Sequence, residues 1–192
     1  MKLTTFKKLF IIIFFLQIRA QAEIESVLLH PIFDQYYVCA EHWDGQLQEM
    51  GDALGTDCFI QKFTTVNGRS WLRSYKRDGH KNEDWFGWKQ NVLAPIEGKV
   101  IKINENKNVN KPGIMGKGMA TWIIIQREDG LMVILAHVDS SIVKVGDLVR
   151  VGQVIATVGN NGQSRHPHIH IGAWKDKTAF QIRFDQSKIK GL

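Results

Sequence analysis

Beyond residue 75 the apolar positions of this chain fall into short runs and alternations of two, not into a helical spacing. Gly98-Lys99-Val100-Ile101-Lys102-Ile103 follows a Pro95-Ile96-Glu97-Gly98 turn and predicts a strand. Thr121-Trp122-Ile123-Ile124-Ile125-Gln126 predicts a strand of buried character. Asp129-Gly130 is a strong turn signal, and the apolar run Leu131 to Ala136 predicts the returning strand. Residues 145–149 and 151–159 continue as short strands with glycine corners, and 105–119, rich in Asn, Lys and Gly, predicts a loop. Ile169 and Ile171 bracket His170 and predict one more strand. Its period puts His168 and His170 on one face, roughly 6.5 Å apart.

The first half is less periodic. Tyr36 to Cys39 and Cys58 to Phe63 predict short strands, and Gln46 to Met50 a helical turn before Gly51. The start of the chain has a different character. Lys2, Lys7 and Lys8 precede an apolar stretch from Leu9 to Ile18, and Ala20-Gln21-Ala22 has the small-x-small form of a cleavage site. That stretch is shorter than the roughly 20 residues that span a bilayer. The expectation is a signal peptide over 1–22, cut before Glu23, a disulfide-tied extension over 23–75 and a β domain over 76–185. The mature protein is then periplasmic or extracellular, with no stable membrane insertion.

Charge changes the picture once the leader is set aside. The whole chain has 25 Lys and Arg against 19 Asp and Glu, a formal +6, but Lys2, Lys7, Lys8 and Arg19 lie in the leader. The remaining +2 is too weak to argue for nucleic acid. Cys39 and Cys58 are the two cysteines, both beyond the leader. In an oxidising compartment such a pair is most simply a disulfide.

The candidate chemistry lies in three segments. His168 and His170 share a strand face, which suits a metal ligand beside an acid/base. His80 has a carboxylate, Asp84, four residues on, with Glu83 as a competing carboxylate. His137 ends the Leu131–Ala136 run. Two imidazoles, one carboxylate and a water make a common open zinc site. The helical His-Glu-x-x-His pattern of many zinc proteases is absent. Trp85 and Trp88 read as packing residues. His30 and His42 are assigned no role.

These elements together resemble the lysostaphin-like zinc endopeptidases, which cut peptide bonds in bacterial peptidoglycan. The resemblance covers about residues 78–175 and rests on His80-x-x-x-Asp84, the strand-end His137, the Gly146-Asp147-x-Val149-x-x-Gly152-Gln153 segment and His168-x-His170, in that order. It implies a mainly β fold, a compact antiparallel sandwich or barrel-like sheet with the metal in a groove. It implies zinc as cofactor, held by His80, Asp84 and His170, with His137 and His168 as the acid/base pair. Four positions depart from the family pattern. Asn82 and Ala136 stand where glycine is common, and Arg165 and His166 stand where small residues are usual.

The function so implied is a secreted zinc metalloendopeptidase acting on peptidoglycan peptides. The alternative is a weak or inactive member of the same fold that binds the wall or regulates a partner. Two histidines and a carboxylate also make a non-haem iron site. The two further histidines and the leader fit hydrolysis better.

Overall fold

The computed structural model describes residues 24–41 and 52–189. The leader, the turn expected at 46–50 and His42 lie outside the described residues. In chain order the described strands are β1 (Ser26–Leu29), β2 (Tyr37–Glu41), β3 (Thr56–Ile60), β4 (Lys62–Val66), β5 (Arg69–Arg73), β6 (Asn91–Leu93), β7 (Gly98–Asn104), β8 (Trp122–Gln126), β9 (Met132–Ala136), β10 (Val138–Ser141), β11 (Leu148–Val149), β12 (Val154–Val158), β13 (Ile169–Lys175), β14 (Thr178–Ala179) and β15 (Gln181–Phe184). Short 3-10 turns occupy Asn82–Asp84 and Gln186–Lys188.

The protein is mainly β. Its large sheet runs β11-β7-β8-β9-β13-β3-β2, with β14 also on β13, and every pairing in it is antiparallel. A second sheet has the order β10-β12-β6. The β1–β15 pair is parallel, and β4–β5 form a hairpin of their own.

Alternation explains the packing. Ile123, Ile125, Val133, Leu135, Ile169, Ile171 and Ala173 fall on one face of the large sheet. They join Val92, Ile155 and Val158 of the second sheet, with Leu29, Ile32 and Phe33, in one buried apolar cluster. The other face carries Trp122, Ile134, Ala136 and Trp174 as a smaller cluster. His170 alternates with Ile169 and Ile171 and so lies on this second face.

The strands expected at 98–103, 121–126 and 131–136 form within a residue or two. The run 145–149 yields only the two residues of β11, because Lys144 and Asp147 close a turn. The single strand expected at 58–63 is two strands, broken at Gln61, whose N–H donates to Tyr36 O (3.1 Å). Cys39 and Cys58 stand opposite each other in the β2–β3 register and are disulfide-bonded. The N-terminal segment is therefore not a side appendage. Through β3 it is hydrogen-bonded to β13, the strand that carries His170.

Candidate active site

His137 is placed by a break in the sheet. It lies between β9 and β10 with φ at 64°, in the left-handed region that histidine tolerates better than most residues. Its carbonyl accepts from Gly159 N–H (2.9 Å). Its ring Nδ1 donates to Asn161 O (2.8 Å). A carbonyl only accepts, so Nδ1 carries the proton. Burial, helped by the neighbouring His168, pushes the ring down to about 3. His137 is therefore neutral at pH 7, with its lone pair on Nε2.

Asn161 builds this corner. Its side-chain oxygen accepts from Thr121 N–H (2.7 Å) and its amide donates to Val138 O (2.7 Å). The histidine, on the Asn161 main-chain carbonyl, and the lead-in to β8 and the start of β10, on its side chain, thus meet on one buried residue.

His168 lies 4.6 Å from His137 between ring centroids. Its Nδ1 donates to His166 O (2.7 Å), and its Nε2 stands 3.4 Å from Asp57 Oδ1. The Phe59 ring stacks on it at 4.9 Å. His170 reaches the same Asp57 oxygen through Nδ1 (3.2 Å) and Asp52 Oδ2 through Nε2 (2.6 Å). Burial opposes charge on His170, but the Asp52 and Asp57 carboxylates outweigh it and raise the ring to about 9. His170 is a cation at pH 7, donating from both nitrogens. Its ring centroid is 6.4 Å from that of His137.

The fit around His170 is tight. A Cβ on Gly55 would lie 2.6 Å from His170 Cε1, and one on Gly172 would collide with Asp52 Cβ. Residues 52–55 are thus seated on the histidine face of β13. Asp52 is 1% exposed. Its Oδ1 has no hydrogen-bond partner among the described residues.

The structure brings the rings of His137, His168 and His170 together, while His80 and Asp84 are held by other partners. His80 is exposed, its backbone N–H held by Asp78 Oδ1 (3.0 Å). Asp84 is buried, and its carboxylate accepts from Arg77 Nε (2.6 Å) and pairs with Arg77 Nη2. The flank of β13 beside His170 is filled by β3, which sets Asp57 opposite His170. Residues 80–84 form a turn instead, tied by Asn82 to Asn160 (2.9 Å) and to Asn110 O (2.9 Å).

By type, His80, Asp84 and His170 suit zinc. By position they do not, since Asp84 is engaged by Arg77 and each nitrogen of His170 meets a carboxylate. Among the described residues no three His, Cys, Asp or Glu side chains are grouped to hold a metal ion.

Trp85, expected to pack in the core, is half-buried. It stacks on His166 at 4.6 Å, and His166 meets Phe59 edge-on at 5.4 Å. Burial, then the nearby His168, lowers His166 to about 4. Sequence reasoning missed Asp52, Asp57 and Asn161. Gly172, a glycine inside a strand, was the available sign that another backbone approaches closely there.

Residues 79–182, more than half of the chain, match the sequence profile of Peptidase family M23. The chain belongs to this family. It is 29% identical over 112 residues to the murein hydrolase activator EnvC of Escherichia coli, covering 58% of this chain and 25% of that protein. It is 29% identical over 79 residues to an uncharacterized metalloprotease of Haemophilus influenzae, covering 41% of this chain and 15% of that protein. The chain thus spans a quarter or less of the curated relatives it matches. The solved structure of the antimicrobial peptidase lysostaphin from Staphylococcus simulans has 20% identity and a TM-score of 0.46, covering 80% of this chain and 52% of that chain. No helix of the described residues is long and apolar enough to cross a membrane.

Proposed function

We propose that this member of family M23 is an exported hydrolase of peptide bonds in bacterial peptidoglycan, with His137 and His168 as its acid/base residues. The observation that carries this reading is the pairing of the two rings at 4.6 Å, each with Nδ1 fixed on a backbone carbonyl. A fixed tautomer is what proton transfer requires. Neutral His137 can take a proton on Nε2 from an attacking water, and that proton, passed on through His168 Nε2, can go to the leaving amine.

Zinc is proposed as the cofactor, with His80, Asp84 and His170 as ligands. Their assembly requires Asp84 to leave Arg77 and His170 to leave Asp52. When bound, zinc supplies Lewis-acid polarisation of the carbonyl.

The test is zinc content and peptide cleavage measured on the same purified variants. His168→Ala and His137→Ala should keep zinc and lose a factor on the order of 10² to 10⁴ in turnover, the usual worth of a positioned acid/base. His170→Ala should lose zinc. Full turnover in both acid/base variants overturns the roles. Unchanged zinc in His170→Ala overturns the ligand set.

The engagement of Asp84 by Arg77 and of His170 by Asp52 and Asp57 favours a second reading, a non-hydrolytic protein that binds the wall or activates a partner hydrolase. A wild-type protein that takes up no zinc and cleaves nothing, yet binds peptidoglycan, selects it.

A further inference from the structure

The hairpin β4–β5 has a surface that the fold does not use. It forms a two-stranded sheet closed by Asn67-Gly68, both with positive φ (51° and 73°), the signature of a tight primed turn. An isolated hairpin is marginal in water, and one showing large apolar side chains is costlier still. Yet Phe63 is 77% exposed and Trp71 53%, with Val66 and Leu72 also exposed.

The register sorts these residues by face. Phe63 and Leu72 oppose each other on one side. The other side carries Lys62, Val66, Arg69, Trp71 and Arg73, so Trp71 is flanked along its own strand by two arginines. Residues 59–77 contain five Lys or Arg and no Asp or Glu. The Arg73 guanidinium lies over the Tyr75 ring at 4.6 Å and donates to Arg77 O (3.0 Å), so it is ordered on the same face as the tryptophan.

Position matters as much as composition. β4 starts two residues after β3, and Phe59 near the end of β3 stacks on His168. The hairpin therefore springs from the rim of the histidine cluster.

We propose that β4–β5 is a docking surface for the anionic sugar–peptide polymer of the cell wall, seating it beside the histidines; this rests on the peptidoglycan reading above. An indole face accepts the C–H face of a pyranose ring. The arginines on either side accept the carboxylates of the peptides that the sugars carry. A sugar unit with a pendant acid matches this aromatic row between cations better than a lipid surface does, because polar Thr64, Thr65 and Ser70 interrupt both faces.

Co-sedimentation with purified peptidoglycan sacculi tests this, with a chelator present and in the cold so that binding is read without cleavage. Wild type should pellet, and more weakly at high salt. Phe63→Ser/Trp71→Ser and Arg69→Glu should each pellet at least fivefold less. They should keep the wild-type melting temperature and turnover of a short soluble peptide, since these side chains are exposed. Wild-type pelleting by either variant overturns the proposal. So does wild type that binds vesicles of phosphatidylglycerol and not sacculi. A protein that pellets through the hairpin but cleaves nothing refutes the hydrolase reading and leaves the docking surface standing.

Discussion

Replacing Asn161 by Ala should cost about 2–6 kcal/mol of folding stability. The side chain satisfies two main-chain groups of opposite kind, Thr121 N–H and Val138 O, each at 2.7 Å. Thr121 and Val138 are both buried, so water cannot replace the lost partner. A buried main-chain group left unpaired costs roughly 1–3 kcal/mol, and there are two of them. Asn161→Asp separates the halves. It keeps an acceptor for Thr121 N–H but turns an acceptor, or a charge, toward Val138 O. It should therefore be no more stable than Asn161→Ala at pH 7. Because His137 Nδ1 rests on the Asn161 carbonyl, the ring loses its seat as this corner loosens. Turnover should then fall on the order of 10- to 100-fold, as for small misplacements of catalytic groups. Urea unfolding followed by tryptophan fluorescence gives the stability. A loss below about 0.5 kcal/mol would refute the accounting, since surface changes alone reach that size.

Stability should peak near neutral pH. His137 and His166 titrate at about 3 and about 4 in the fold, below the ordinary 6.5, because burial disfavours their charge. The unfolded chain then binds more protons as pH falls from about 6.5 toward 3, and stability is lost in that window. His170 is raised to about 9 by Asp52 and Asp57 against its burial, so its contribution is complete below about pH 6.5 and lost as pH rises through 9. Urea midpoints across pH read both limbs, and Asp52→Asn should flatten the alkaline one; an unchanged alkaline limb contradicts the pairing. Breaking the Cys39–Cys58 bond, which spans 19 positions, should cost about 3 kcal/mol by loop entropy, read as a lower melting temperature in Cys39→Ala/Cys58→Ala. Gly172→Ala should cost about 1–3 kcal/mol through collision with Asp52. Adding Asp52→Gly, which removes the Cβ that the new methyl would strike, should restore part of the loss, and strict additivity of the two changes would show that they do not touch.

The strands of the second half were legible as short apolar runs with glycine or Asp-Gly at their corners; Ile123, Ile125, Val133 and Leu135 bury on one face and Trp122, Ile134 and Ala136 on the other. The hairpin carried a readable signal too, since Asn67-Gly68 between β-forming residues is a strong short-range turn cue. Its apolar residues lie on both sides, however, so no single-face pattern stood out. The convergence of His137, His168 and His170 followed from the strand period and from the end of a strand. The partners that hold Asp84 and His170 did not. Local spacing says nothing about which strand fills the flank of β13, and β3, distant in sequence, fills it. Asp52 and Asp57 were hidden for the same reason, as carboxylates whose partners lie 118 and 113 residues away.

The most direct test of the account is digestion of purified peptidoglycan by the zinc-supplemented protein from Glu23 onward, with mass analysis of the soluble fragments. The account predicts fragments that have each gained one water at a peptide bond, with new amino and carboxyl ends, and their absence in a parallel digest with His168→Ala. Intact peptides after digestion by folded, zinc-loaded wild type would contradict it, as would cleavage of the glycan in place of the peptide.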